Sequence, residues 1–237
     1  SAYEGDNIAK SSEAMPWYQG NSVMEQMALL AYEQQEAAAV RFPIQDVYRM
    51  GQARLPVGRL ESGSLGVGDR VTVWPTQEQT TIKAIHCWPQ TQKDQAAAGQ
   101  CIAVELSDPL FVERGMVAAS PQNRPQVSRY VRGRIVWLGK EPLQTGRRYK
   151  LRVGFQETGA SLQKLERVLD IGEIQEESTR QDVPAGFVGE GVWVLDQPLV
   201  FESFEQCSAL GRFVLVDNFQ IAGGGIIQEA VEEAGMA

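Results

Sequence analysis

From Arg41 almost to its end, the sequence is cut into short apolar runs by turn residues, and this leaves little room for any fold but a strand-rich one. FPIQDVYRM and QARLPVGRL carry β-branched and aromatic residues and break near Gly51. SGSLGVGDR places Gly63, Gly66 and Gly68 in a turn region, and DRVTVWP alternates Val71 and Val73 with polar neighbours. TTIKAIHCW alternates less strictly, through Ile82, Ala84 and Ile85, and AAAGQCIAVEL and RGMVAAS add further short strands. PQNRPQ, residues 121–126, is a polar, proline-bearing joint. Beyond it lie VSRYVRGRIVWL, RRYKLRVGF, SLQKLERVLDI, GFVGEGVWVLDQPLV, and ALGRFVLVD with FQIAGGGIIQEA. Each block has the size of a small domain, and its strand density predicts an antiparallel barrel.

One segment departs from this pattern. Residues 21–39, NSVMEQMALLAYEQQEAAA, read as a helix: Ser22 and Glu25 have capping-box spacing, and Met24, Met27, Ala28 and Ala31 keep to one face. The predicted fold class is therefore mostly β, two small antiparallel barrels preceded by one helix, with domains at 1–40, 41–122 and 123–237. The acidic tail VEEAGMA is expected to fray.

Composition narrows the chemistry. The formal net charge of -8 is a poor match for broad binding to a nucleic-acid backbone, which needs surplus Lys and Arg. Cys87, Cys101 and Cys207 are scattered without a C-x-x-C pair, as expected of reduced thiols in a cytoplasmic protein. The single histidine, His86, excludes a His-rich metal centre and any mechanism that uses two imidazoles. There is no signal-peptide pattern and no apolar run of transmembrane length, so no membrane partner is expected.

Four stretches resemble the second and third domains of the translation-factor GTPase superfamily, the elongation factor Tu relatives. They are QDVYRMGQARLPVGRLESGSLGVGDRVTVWP (45–75), AAAGQCIAVELSDPLFVERGMVAAS (96–120), RYKLRVGF, and LGRFVLVDNFQIAGGGII (210–227). The opening SAYEGDN resembles the segment that ends the GTPase domain, where Ser1 and Ala2 would contact guanine. MPWYQG resembles a loop of the GTPase subunit of ATP sulfurylase, the large subunit of sulfate adenylyltransferase. The resemblance implies that residues 1–40 are the end of a GTPase domain whose remainder would sit in cis, with GTP and Mg held by the parent protein and no cofactor in this part. It implies as partner the catalytic subunit of sulfate adenylyltransferase, where GTP hydrolysis would drive adenylyl sulfate formation. LPVGR, residues 55–59, sits closer to elongation factors, and that alternative implies aminoacyl-tRNA or the ribosome. Neither G-x-x-x-x-G-K-[ST] nor N-K-x-D occurs in these residues, so they are not expected to hydrolyse GTP by themselves; the parent is.

Candidate sites follow. Gly58, Arg59 and Glu61 lie where the resemblance puts an interface to the GTPase switches or to an aminoacyl end; a strand arginine paired to a carboxylate is the plainer reading. Arg129, Arg132, Arg134, Lys140, Arg147, Arg148, Lys150 and Arg152 concentrate positive charge, with Arg147, Arg148 and Lys150 the candidate RNA face. The plainer reading is a solvated strand face balanced by Glu157, Glu166, Glu173, Glu176 and Glu177. Trp17 and Tyr18 are expected to plug a seam between domains, and Ser1 and Ala2 to fray. The glycine runs 66–68 and 223–225 are expected in turns or bulges. His86 and Cys87 are adjacent on a strand and point apart. Asp108 with Glu113, and Asp182 with Glu190, are expected to be loop charges. No catalytic residue and no metal ligand is assigned.

Overall fold

The computed structural model describes residues 1–30, 39–51, 53–87, 93–173, 175–176 and 180–232. The chain divides into two compact units, Ser1–Gln35 and Glu36–Ala237.

The first unit is a chain of turns ending in α1 (Val23–Leu29). Ser22 caps this helix: its hydroxyl accepts from the Glu25 N–H, and the Glu25 carboxylate accepts from the Ser22 N–H at 2.8 Å. The N–H groups of Val23 and Met24 donate to the Asn7 and Ile8 carbonyls, so the first-turn donors are satisfied by the preceding loop. The Ser22 bonds hold the Glu25 carboxyl below its ordinary range. The helix is shorter than its pattern predicts. Leu30 is already extended, and residues 31–38 of the expected helix lie outside the described residues. None of its residues is buried, and seven residues of good propensity without a packed face are marginal.

The second unit holds both barrels. β1 (Arg41–Met50), β2 (Ala53–Arg59), β3 (Ser64–Gly66), β4 (Arg70–Trp74), β5 (Glu78–His86), β6 (Gln95–Ala97), β7 (Cys101–Leu106) and β8 (Val117–Ala119) build the first. Its ring runs β1-β2-β7-β5-β4-β8 and closes, with β3 and β6 forming a small side sheet. Phe42, Ile44, Leu60, Ile82, Ile85 and Ile102 fill it. Gly51 takes positive φ in the β1–β2 hairpin turn and Gly68 in the turn between β3 and β4, as their sequence positions predict.

The second barrel comprises β9 (Gln126–Trp137), β10 (Leu143–Gln144), β11 (Arg148–Val153), β12 (Gln156–Asp170), β13 (Gln175–Glu176), β14 (Asp182–Val183), β15 (Phe187–Phe201), the short α2 (Ser208–Gly211), β16 (Arg212–Asp217) and β17 (Gln220–Ala230). The order is β11-β16-β17-β9-β15-β12, and pairing of β12 back to β11 closes the ring. Trp137 packs edge-on against Tyr149 at 5.5 Å and Trp193 against Phe213 at 6.1 Å, in the T-shaped geometry aromatic pairs prefer.

Gly223–Gly225 lie within β17, not in a turn. Gly223 and Gly225 let two neighbours close in. A Cβ on Gly225 would overlap the Arg134 carbonyl oxygen and stand 2.5 Å from Phe213 Cζ. The Phe213 ring fills the volume beside Gly225, and the Ile135 side chain that beside Gly223. Among the described residues, no helix is long and apolar enough to cross a membrane.

Candidate functional site: the seam between the barrels

β4 breaks its alternation. Val71 and Val73 face the first barrel's core, yet Thr72 and Trp74 are also buried. Thr72 pairs with Ala119 and Trp74 with Val117, so all four side chains leave the barrel on one side. There they meet the second barrel: Trp74, Val117 and Ala119 pack with Val200, Cys207 and Leu210 in a core of their own. α2 supplies Leu210, with Cys207 just before it, and the end of β15 supplies Val200.

A buried ion pair crosses the same seam. Arg41, at the start of β1, donates from Nε to Glu202 Oε1 at 2.5 Å, and both side chains are 7% exposed. The same guanidinium donates from Nη1 to the Val40 and Asn123 carbonyls, each at 2.8 Å. Buried ions cost several kcal/mol each in desolvation, and this pair recovers that by good geometry and two further acceptors. At the rim, Arg114 lies 5.3 Å from the centroid of the Phe155 ring. A Cβ on Gly115, which has φ +93°, would stand 3.2 Å from the Phe155 carbonyl oxygen.

Glu61 sits half-buried at this joint. Burial pushes its carboxyl up, and the charges of Arg59 and Arg212 pull it back only in part. Burial likewise pushes the Cys207 thiol up, and Glu61 and Glu202 add to the effect. A carboxyl that binds its proton more tightly folded than unfolded contributes stability that is complete below the ordinary value of 4.5 and is lost as pH rises through the raised one. Glu61→Gln should therefore gain stability relative to the wild type as pH goes from 4 to 7. Denaturant midpoints across that range test this; a constant difference would contradict it.

The arrangement is a buried apolar joint locked by an ion pair. Among the described residues no three His, Cys, Asp or Glu side chains cluster to hold a metal ion.

The residues singled out from sequence fall in several places. Gly58 is a packing residue: a Cβ there would overlap the Pro43 carbonyl oxygen, opposite the register shift in β1. Arg59 is exposed and donates to the Gly99 carbonyl at 3.2 Å. Of the three, Glu61 alone borders the seam. Arg147, Arg148 and Lys150 are each engaged by a carboxylate. Arg147 binds Asp217 at 2.6 Å and lies over the Tyr149 ring; Arg148 pairs with Asp196; Lys150 shares Glu157 with Arg152, at 2.6 and 2.5 Å. Those two cations, by hydrogen bond and charge, hold Glu157 below its ordinary range.

The same pattern continues along β9. Arg129 donates to the Leu195 carbonyl, Arg132 pairs with Glu166 and Glu229, and Arg134 pairs with Glu190 at 2.8 Å. Burial pushes Glu190 up, but Arg134, Gln228 and Arg167 together outweigh it and lower its pKa. Glu177 and the side chain of Glu176 lie outside the described residues.

Ser1 is exposed; its carbonyl accepts from Gly5 N–H and its hydroxyl from Glu4 N–H. Trp17 is 76% exposed and packs edge-on against Tyr18. Cys87 packs on the first core. Asp108 accepts from Thr80; Asp182 pairs with Arg180 and Glu190 with Arg134, and both of these acids lie on strands, not in loops. Sequence reading missed Arg41, Trp74, Cys207 and Glu202 as one site. The one available signal was a charged Arg41 directly before an apolar run.

Comparison with known proteins agrees with this architecture. The family model described as GTP-eEF1A C-terminal domain-like matches residues 131–228. Sulfate adenylyltransferase subunit 1 of Vibrio vulnificus strain YJ016 is 27% identical over 98% of this chain and 49% of its own length. That of Photobacterium profundum is 29% identical over 98% of this chain and 49% of its own. The chain thus spans about half the length of the curated relatives it matches. Solved structures of Sup35 with GDP and with GMPPNP superpose with TM-scores of 0.79 and 0.80, at 22% identity, over 98% of this chain and 58% of theirs. In fold the chain is a pair of translation-factor-like β-barrels, and residues 131–228 are similar to the eEF1A C-terminal domain family.

Proposed function

We propose that this chain is the docking and coupling body of a GTP-hydrolysing subunit of sulfate adenylyltransferase. The GTPase domain would lie in cis, and a catalytic subunit would be the partner. The observation that carries this is the seam. Two barrels joined by a dry apolar core and a buried ion pair move as one piece, so a push on one face is delivered at another. Coupling of this kind needs unequal contacts in two nucleotide states. A rigid relay between a switch and a partner supplies the mechanical half of it.

The two glycine runs offer no cradle for a nucleotide's phosphates. The turn at Gly66 is closed on Asp69, whose Oδ2 accepts the Gly66 N–H at 2.7 Å. Gly223–Gly225 are strand residues, two of them pressed on neighbouring strands. Neither run opens onto a helix, so no phosphate-cradling loop is made, and no step is assigned to the nucleotide here.

The second reading, a carrier of aminoacyl-tRNA, has the Sup35-like fold in its favour and the carboxylate-engaged Arg147, Arg148 and Lys150 against it. The test is immobilised chain against purified catalytic subunit and, separately, aminoacyl-tRNA. Saturable binding of the subunit and none of the tRNA is expected. The reverse would move the function to translation.

A further inference from the structure

The outer face of a barrel sheet should be polar, yet one row across the second barrel is not. The register aligns Val188 on β15 with Val136 on β9, Val136 with Gly224 on β17, and Gly224 with Val214 on β16. These positions alternate with the inward-facing core residues and point out of the barrel. Val136 is 37% exposed, and Val188 and Val214 are half-buried. Gly224 gives the row a floor: a Cβ there would meet nothing nearer than the Phe213 carbonyl oxygen, at 4.0 Å. The result is a trough of about 820 Å³. Four strands at about 4.8 Å spacing make it roughly 15 Å across, wide enough for one helix.

The rim is charged with one sign in excess. Arg152 ends the apolar row, opposite Val214, and the next row sets Glu190, Arg134, Ile226 and Arg212 side by side. Arg134 is neutralised by Glu190, while Arg152 shares the single Glu157 with Lys150. Arg212 donates to the Ser208 carbonyl, and its charge is shared with the half-buried Glu61. On a chain of net charge -8, a local cationic rim around an apolar floor selects a partner by complementarity.

We infer that this trough is where the catalytic subunit of the proposed enzyme docks, through an apolar helix bordered by carboxylates. The assignment rests on the function proposed above. Gly224 is its key position, because the empty space above it receives the partner's central side chain.

The test is the affinity of the purified catalytic subunit for the whole chain and for Gly224→Trp and Gly224→Ala. Tryptophan fills the trough and should weaken binding about 30-fold or more, while alanine should stay within about twofold. Both should melt with the wild type, since the position is open. Three other results would overturn the assignment. Equal binding by wild type and Gly224→Trp leaves the proposed function standing and puts the docking face elsewhere. Binding by neither ends both. Loss of affinity by Gly224→Trp for a separately produced GTPase half, with the catalytic subunit unaffected, gives the trough to that half.

Discussion

Arg41→Met should destabilise the two-barrel unit by about 3–5 kcal/mol, the range for leaving one member of a buried ion pair alone. Glu202 would be left in a place 7% exposed, with its 2.5 Å donor gone. The Asn123 and Val40 carbonyls would also lose the guanidinium. For a unit of this size the loss corresponds to roughly 10 °C in Tm. The double variant Arg41→Met/Glu202→Leu should recover most of it, because apolar replacement of both partners removes the desolvation cost with the interaction. A double variant as unstable as the single one would mean that the pair does more than satisfy its own charges. Arg41→Met should also uncouple the barrels, so that unfolding monitored in each no longer coincides.

Gly225→Val should have the second large effect, about 3 kcal/mol or more, arising from packing within the second barrel. The added Cβ meets backbone on one side, the Arg134 carbonyl, and the buried Phe213 ring at 2.5 Å on the other. Neither can yield cheaply: the carbonyl belongs to β9, and Phe213 is itself wedged against Trp193. Gly224→Val, one residue away, should change stability by no more than about 0.5 kcal/mol, since its Cβ points into open space. Urea midpoints of the two variants distinguish this from a general intolerance of side chains in β17. Equal losses would contradict it.

That contrast shows what the sequence could and could not reveal. Strand positions in β1, β2, β4 and β11 were legible because alternation and glycine turns are local signals. In RYKLRV the inward Tyr149, Leu151 and Val153 follow from period two alone. The use of Gly223–Gly225 was not legible. Only the packing of β17 on its neighbours shows that Gly225 makes room for Phe213, Gly223 for Ile135, and that Gly224 faces outward.

The candidate site was less legible still. Trp74 reads as an ordinary strand aromatic and Arg41 as a strand boundary; they become one site because β4 and β8 turn a second apolar face toward residues more than 80 positions later. The basic run from Arg129 to Arg152 could be seen as outward-facing charge. Its partners Asp196 and Asp217 come from strands whose pairing no local pattern fixes.

The account stands on the two barrels behaving as one body. Native-state hydrogen exchange in increasing urea measures this directly, by comparing the slowest amides of β7 in the first barrel with those of β15 in the second. Convergence of both sets on one opening free energy is predicted. A β7 set that opens at a distinctly lower free energy, with β15 still protected, would show the barrels unfolding independently and would contradict the coupling role assigned to the seam.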